Sequence, residues 1–110
     1  MKKIIIKEVP KSQIRNKGVG DYRMENGILK ILVAKGGDRK FRQGVVIHEL
    51  AEAMLARNNG IPFKKIEDWD RKNIKKKGEP GEMKGAPYKK EHAVANKIED
   101  ILVKELNKNS

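Results

Sequence analysis

The stretch "VVIHELAEAMLARNNG", from Val45 to Gly60, decides the fold, because it predicts a helix that packs inside the molecule. Drawn as an α-helix, most of its circumference is apolar, with Val46, Ile47, Leu50, Ala51, Ala53, Met54 and Leu55. The remaining sector carries His48, Glu49 and Glu52 on one face. We therefore predict a buried helix over Val45–Asn59, which ends at Gly60.

The ionisable face of this helix predicts a metal site. Unpaired charges are costly to bury, so these groups must be paired, neutralised, placed in a cleft or bound to a cation. His48 and Glu52 are one turn apart, so both can reach a single ion. Glu49 points to the flank of that ion, where it can take a proton from a water molecule. Because the chain has no cysteine, only His, Asp and Glu can bind the metal.

The motif "HELAE", preceded by a predicted hairpin, resembles the H-E-x-x-H helix of zincin metallopeptidases. The resemblance implies a zincin-like fold, a zinc cofactor, a peptide or protein substrate, and Glu49 as the general base. Glu52 stands where that family has a second histidine, and a carboxylate is also a competent zinc ligand. "HELAEA" followed by "EHAVANKIE" is also similar to short uncharacterised phage-type proteins with zincin-like motifs.

The third ligand has to come from outside this helix, and the chain has one other histidine, His92. It lies in a second predicted helix over 88–107, whose apolar residues recur at helical spacing behind Pro87. His48, Glu52 and His92 would then form a set of two histidines and one carboxylate, as in thermolysin-like enzymes. Non-haem iron oxygenases use the same ligand types, but usually on a β-barrel, for which this chain lacks strands.

Three further residues near His92 are candidates for supporting roles. Glu99, two turns along the same side of the helix, could orient a histidine as a second-shell acceptor. Glu91 points more squarely into the apolar face and is the reserve ligand. Tyr88 could polarise a substrate carbonyl group with its phenol.

The first third of the chain predicts a small sheet. "KKIIIKEV" (Lys2–Val9) is β-branched and ends at Pro10. The Asn26-Gly27 pair predicts a hairpin that joins strands Tyr22–Glu25 and Ile28–Ala34. Strand Ile28–Ala34 either presents an edge to an extended substrate or lies inside the sheet. The predicted fold is α+β: one domain, 1–110, with an antiparallel sheet in residues 1–44 packed by the two helices.

Residues 60–88 predict a connection between the helices. Ile61–Ile74 can form a short helix, with Phe63, Ile66 and Trp69 as its buried contacts. Lys75–Tyr88 is rich in lysine, glycine and proline, which predicts a mobile loop. This loop could close over the site as a lid, or it could be an ordinary solvated connection.

The charge composition keeps a non-enzymatic alternative open. The chain has 26 Lys+Arg against 15 Asp+Glu, a formal net charge of +11. Such a charge attracts polyanions, so the chain could be a basic adaptor domain for nucleic acid or protein. Its buried carboxylates would then pair with Arg57, Arg42 or loop lysines. No apolar stretch is long enough for a membrane span or a signal peptide, so we expect a cytoplasmic protein.

Overall fold

The computed structural model describes residues 2–15 and 18–108. In these residues the chain forms an α+β fold with a three-stranded sheet and three α-helices. The strands are β1 (Lys3–Val9), β2 (Gly20–Glu25) and β3 (Ile28–Ala34). The helices are α1 (Arg39–Asn58), α2 (Phe63–Asn73) and α3 (Lys89–Asn107). None of these helices combines the length and apolar character required to cross a bilayer.

The sheet is mixed, so the prediction of an antiparallel sheet was wrong for its first strand. The strand order is β1-β3-β2. The hairpin makes β2 antiparallel to β3, and both of its turn residues have positive φ, 52° at Asn26 and 79° at Gly27. β1 instead runs parallel to β3 on its other side, with Lys3 opposite Ile28. The longer connection from β1 to β2 allows this crossover, which no local pattern in the sequence encodes.

β3 is the central strand, since it pairs with β1 on one edge and with β2 on the other, and both of its faces are covered. Leu29 and Ile31 face the helices in the main core, which also contains Tyr22, Ala53, Ala56, Ile66 and Tyr88. Leu32 and Ala34 point to the opposite face and pack with Val9 and Ile14. Of the two possibilities predicted for this strand, the structure therefore has the internal one. The strand edges belong to β1 and β2.

α1 begins six residues before the predicted start at Val45. Asp38 caps the helix by accepting a hydrogen bond from the backbone N–H of Lys40 at 3.2 Å. Gly44 lies inside the helix and is buried. A Cβ atom at this position would lie 2.7 Å from Cγ2 of Val103, so glycine permits the close approach of α1 and α3.

The connection between α2 and α3 contacts both helices. A 3-10 turn at Pro80–Glu82 follows Glu79, and we call residues 79–82 the strap. The indole N–H of Trp69 donates to the carbonyl oxygen of Pro80 at 2.8 Å. Gly81 lies against the ring of His92, where a Cβ atom would come within 2.7 Å of Cγ. The strap is therefore hydrogen-bonded to α2 and packed against α3.

Candidate metal centre

α1 and α3 bring the three predicted ligands together. We call His48, Glu52 and His92 the histidine cluster. Their donor atoms all lie within 4.8 Å of one another. Oε2 of Glu52 is 3.3 Å from Nε2 of His48 and 2.7 Å from Nδ1 of His92. The three residues are only 8%, 5% and 7% exposed, so a cation bound there would be largely shielded from water.

The histidine cluster fits a tetrahedral zinc ion. Zinc bonds of about 2.0–2.2 Å to nitrogen and oxygen place neighbouring ligand atoms roughly 3.3–3.5 Å apart. The separation of His48 and Glu52 already has this value at 3.3 Å. The contact of His92 with Glu52 has the length of a hydrogen bond, 2.7 Å, and would have to open slightly. The donor set of two imidazoles and a carboxylate leaves a fourth position for water.

Without a metal ion, a proton on His92 supplies the positive charge in the cluster. Burial opposes this charge, but hydrogen bonds to Glu52 and Glu79 outweigh burial and raise the pKa of His92 to about 10. Burial also acts to raise the pKa of Glu52, yet its hydrogen bonds to the two histidines lower it overall. Glu52 is therefore an anion held between two imidazole rings. A metal ion would have to displace the proton from His92.

Each histidine has a second carboxylate on its other ring nitrogen. Nδ1 of His48 lies 2.9 Å from Oε1 of Glu99, the predicted second-shell residue. This is a hydrogen-bond distance, although the ring N–H does not point straight at the oxygen. Nε2 of His92 lies 2.9 Å from Oε2 of Glu79 on the strap. Carboxylates in these positions fix the orientation and tautomer of ligand imidazoles.

Glu79 was not predicted from the sequence. It lies thirteen residues before His92, in a glycine- and proline-rich stretch that predicted only a connection. The single signal was a pair of glutamates, Glu79 and Glu82, in an otherwise lysine-rich segment. Its hydrogen bond to His92 lowers the pKa of Glu79 against the effect of partial burial.

Glu49 lies beside the histidine cluster rather than within it. Its Oε2 atom is 3.6 Å from Nε2 of His48, and its side chain is 12% exposed. Burial raises the pKa of Glu49 well above the usual range, and the negative charges of Glu52 and Asp21 raise it further. A raised pKa makes a carboxylate a better proton acceptor. The position and the pKa both suit the base predicted for this residue.

Tyr88 and Glu91 both have other partners. The Tyr88 hydroxyl donates to Oδ1 of Asp70 in a short hydrogen bond, so its proton is not available to a substrate carbonyl group. Glu91 is buried, and it accepts a hydrogen bond from Nδ2 of Asn59 at 2.7 Å. It thus joins the end of α1 to the start of α3. The structure does not bring Glu91 into the histidine cluster.

A second group of buried charges lies in the same cleft. We call Arg15, Asp21 and Asp70 the Arg15 cluster. Nη2 of Arg15 is 3.0 Å from Oδ1 of Asp21 and 3.1 Å from Oδ2 of Asp70. Burial is the main cause that raises the pKa of Asp70, to about 6, while Tyr88 and Arg15 act against it. Among the described residues, Asp21 and Asp70 thus share Arg15 as their ion-pair partner.

The cleft around both clusters is acidic, although the chain as a whole is basic. It has a volume of about 730 Å³. Its carboxylate lining consists of Asp21, Glu49, Glu52, Asp70, Glu79, Glu82, Glu99 and Asp100. Arg15 is the one Lys or Arg side chain among the described lining residues, out of 26 in the chain. The cleft therefore favours a cation.

Comparisons with known proteins leave the site to be interpreted from its own geometry. No protein-family model, no curated protein and no solved structure matches this chain. The likeness to zincins therefore depends on the "HELAE" motif of α1 and on the residues that surround it.

Proposed function

We propose that this protein is a zinc-dependent hydrolase, and that its substrate bond is a peptide bond. The observation that carries the proposal is the histidine cluster, buried in the cleft with Glu49 at its flank. His48, Glu52 and His92 are the ligands, with His92 binding through Nδ1, the atom that faces Glu52. The donor set supports zinc over magnesium or calcium, which prefer oxygen ligands.

The chemistry divides between the ion and the protein side chains. A bound zinc ion acts as a Lewis acid that polarises a carbonyl group and lowers the pKa of water. Glu49 accepts the proton of the attacking water while the water oxygen bonds to the carbonyl carbon. When the C–N bond breaks, Glu49 delivers this proton to the leaving nitrogen. Glu99 contacts Nδ1 of His48 and Glu79 contacts Nε2 of His92, so the two carboxylates hold the imidazole rings in position.

The sheet suggests how an extended substrate would bind. Gly20, Asp21 and Tyr22 of β2 line the cleft, and β2 pairs with only one strand, β3, among the described residues. Gly20 also lies against the base, because a Cβ atom there would be 3.0 Å from Cγ of Glu49. A peptide that adds its backbone to the β2 edge would pass beside Glu49. This assigns to β2 the role that the sequence suggested for Ile28–Ala34.

The test measures zinc content and the turnover of a peptide substrate in protein purified without a histidine tag. We expect about one zinc ion per chain in the wild type, loss of zinc in His92→Ala, and full zinc in Glu49→Gln with turnover abolished. Glu82→Gln, which changes a carboxylate on the strap outside the ligand set, is the control and should keep its zinc. A wild type that binds no zinc while His92→Ala folds normally would contradict the proposal.

A further inference from the structure

The hydroxyl group of Tyr22 is buried and has no hydrogen-bond partner within residues 2–15 and 18–108. Tyr22 is 4% exposed, and its ring packs against Phe63 with the centroids 5.9 Å apart. Among the described residues, nothing donates to or accepts from its hydroxyl oxygen. Buried polar groups nearly always have a partner, so an exception in a protein core needs an explanation.

The position of this hydroxyl relates it to the site. Tyr22 lines the same cleft as the histidine cluster and Glu49. Gly20 lies on the same face of β2 as Tyr22, and a Cβ atom there would be 3.0 Å from Cγ of Glu49. Tyr22 therefore faces α1 on the side that carries the base. The usual pKa of a tyrosine is about 10, so near neutral pH the hydroxyl holds its proton and can act as a hydrogen-bond donor.

The other candidates for such a donor already have partners. The Tyr88 hydroxyl, which also borders the cleft, donates to Asp70. Within the part of the chain that the structure describes, the other buried side-chain atoms that lack a hydrogen bond belong to Arg15 and His48, and both of these side chains have a carboxylate oxygen within 3.0 Å. Within the described residues, Tyr22 is thus the cleft tyrosine whose donor is unused.

We propose that Tyr22 is a catalytic residue that donates a hydrogen bond to the carbonyl oxygen of the substrate. The inference rests on the proposed function. As the water oxygen bonds to the carbonyl carbon, the π electron pair of the carbonyl group moves onto its oxygen, while Glu49 holds the water proton. As the C–N bond breaks, the pair on oxygen re-forms the carbonyl group. The bonding pair leaves with nitrogen, which takes the proton from Glu49, and Tyr22 keeps its own proton throughout.

This assignment explains why the hydroxyl is unpartnered. A donor that is already aimed at the place where negative charge develops does not have to reorganise during the reaction. Shielding from water strengthens such a hydrogen bond. A donor bonded to another protein group, as in Tyr88, would first have to break that bond.

The test compares Tyr22→Phe with Tyr88→Phe, each of which removes only a hydroxyl group. Zinc-loaded proteins are assayed with fluorescein-labelled casein, and metal-free proteins are melted. For Tyr22→Phe we expect kcat/KM to fall about 100-fold, mainly through kcat, with zinc content unchanged. Its melting temperature should equal or exceed that of the wild type, because the lost hydroxyl has no partner. Tyr88→Phe should melt at a lower temperature, since it leaves the buried Oδ1 atom of Asp70 without its donor.

The outcomes separate this inference from the proposed function. If the wild type hydrolyses casein and Tyr22→Phe is within about threefold of it, a change too small for a lost oxyanion donor, Tyr22 is not catalytic and the proposed function stands. A lower melting temperature for Tyr22→Phe would also overturn the inference, because the hydroxyl would then have a structural partner. If the zinc-loaded wild type does not hydrolyse casein, both the proposed function and the role of Tyr22 are overturned.

Discussion

The Arg15 cluster and the histidine cluster lie in one cleft, and they balance buried carboxylates in different ways. In the Arg15 cluster the cation is a guanidinium group, which stays charged at every accessible pH. In the histidine cluster the cation is a proton on His92, which the proposed zinc ion would displace. The cation of the first cluster is part of the chain, whereas that of the second is taken from the solvent. Under the proposed function, the first cluster serves the fold and the second serves the chemistry.

The largest expected effect is a loss in the free energy of unfolding when Arg15 is removed. Arg15→Met leaves Asp21 and Asp70 buried without their shared partner, and breaking a buried ion pair in this way costs about 3–5 kcal/mol. The measurement is the free energy of unfolding from urea titration. Lys30→Met is the control, because Lys30 pairs with an exposed glutamate, Glu25, and such pairs contribute roughly 0–1 kcal/mol. Equal losses for the two variants would remove the distinction between this cluster and an ordinary surface pair.

A smaller loss of stability is expected when a rise in pH removes the proton from His92. The pKa of His92 is raised from 6.5 to about 10, so the folded state keeps a proton that the unfolded state loses within this range. In the metal-free protein, the stability that His92 contributes is therefore full below about pH 6.5 and is lost as the pH rises towards 10. We expect a loss of about 2 kcal/mol, the contribution of hydrogen bonds to one charged group.

The check is urea unfolding with a chelator at several pH values. His92→Gln is the control, since it retains hydrogen-bonding capacity but has no proton to lose, and the decline attributed to His92 should disappear in it. If the free energy of unfolding changed with pH in the same way in the wild type and in His92→Gln, the histidine cluster would be as insensitive to pH as the Arg15 cluster.

The smallest expected effect is a loss of zinc affinity on changing Glu79, which contacts Nε2 of His92. Glu79→Gln weakens the acceptor for Nε2 of His92, and changes to such residues typically lower metal affinity 10–100-fold. We expect the lower end, about tenfold or roughly 1.4 kcal/mol, because the side chain of Glu79 is 64% exposed. Competition with a chelating dye gives the zinc affinity. Glu82→Gln is the matched control, because Oε1 of Glu82 is 3.9 Å from the same nitrogen. Equal affinities for the two variants would show that Glu79 does not support the ligand.

The helices and the members of the histidine cluster could be predicted because they follow from the spacing of residues that are close together in the sequence. The one-turn spacing of His48 and Glu52 places both on one face of any helix that contains them. The apolar periodicity of the last helix placed His92 near the same core. The hairpin followed from Asn26-Gly27 in the same way. These predictions needed only helical or strand geometry within one segment.

The other parts of the site depend on contacts between distant segments. Arg15 and Asp70 are 55 residues apart, and no periodicity connects them. β1 pairs with β3, which lies beyond β2 in the chain, and no local pattern in the sequence encodes this parallel pairing. Whether Tyr22 or Tyr88 has an unused donor depends on the position of Asp70, which the sequence does not reveal. Sequence patterns therefore predicted the three residues that form the histidine cluster but not the residues around them.

Under the proposed function, Gly44 bears on the size of the ion that the site would accept. It lies one turn before His48, where α1 approaches the side chain of Val103 of α3. The same pair of helices holds the rings of His48 and His92 with their centroids 5.0 Å apart. The spacing of the two imidazole rings therefore depends on this close approach, so a glycine outside the ligand set would limit the ionic radius that fits.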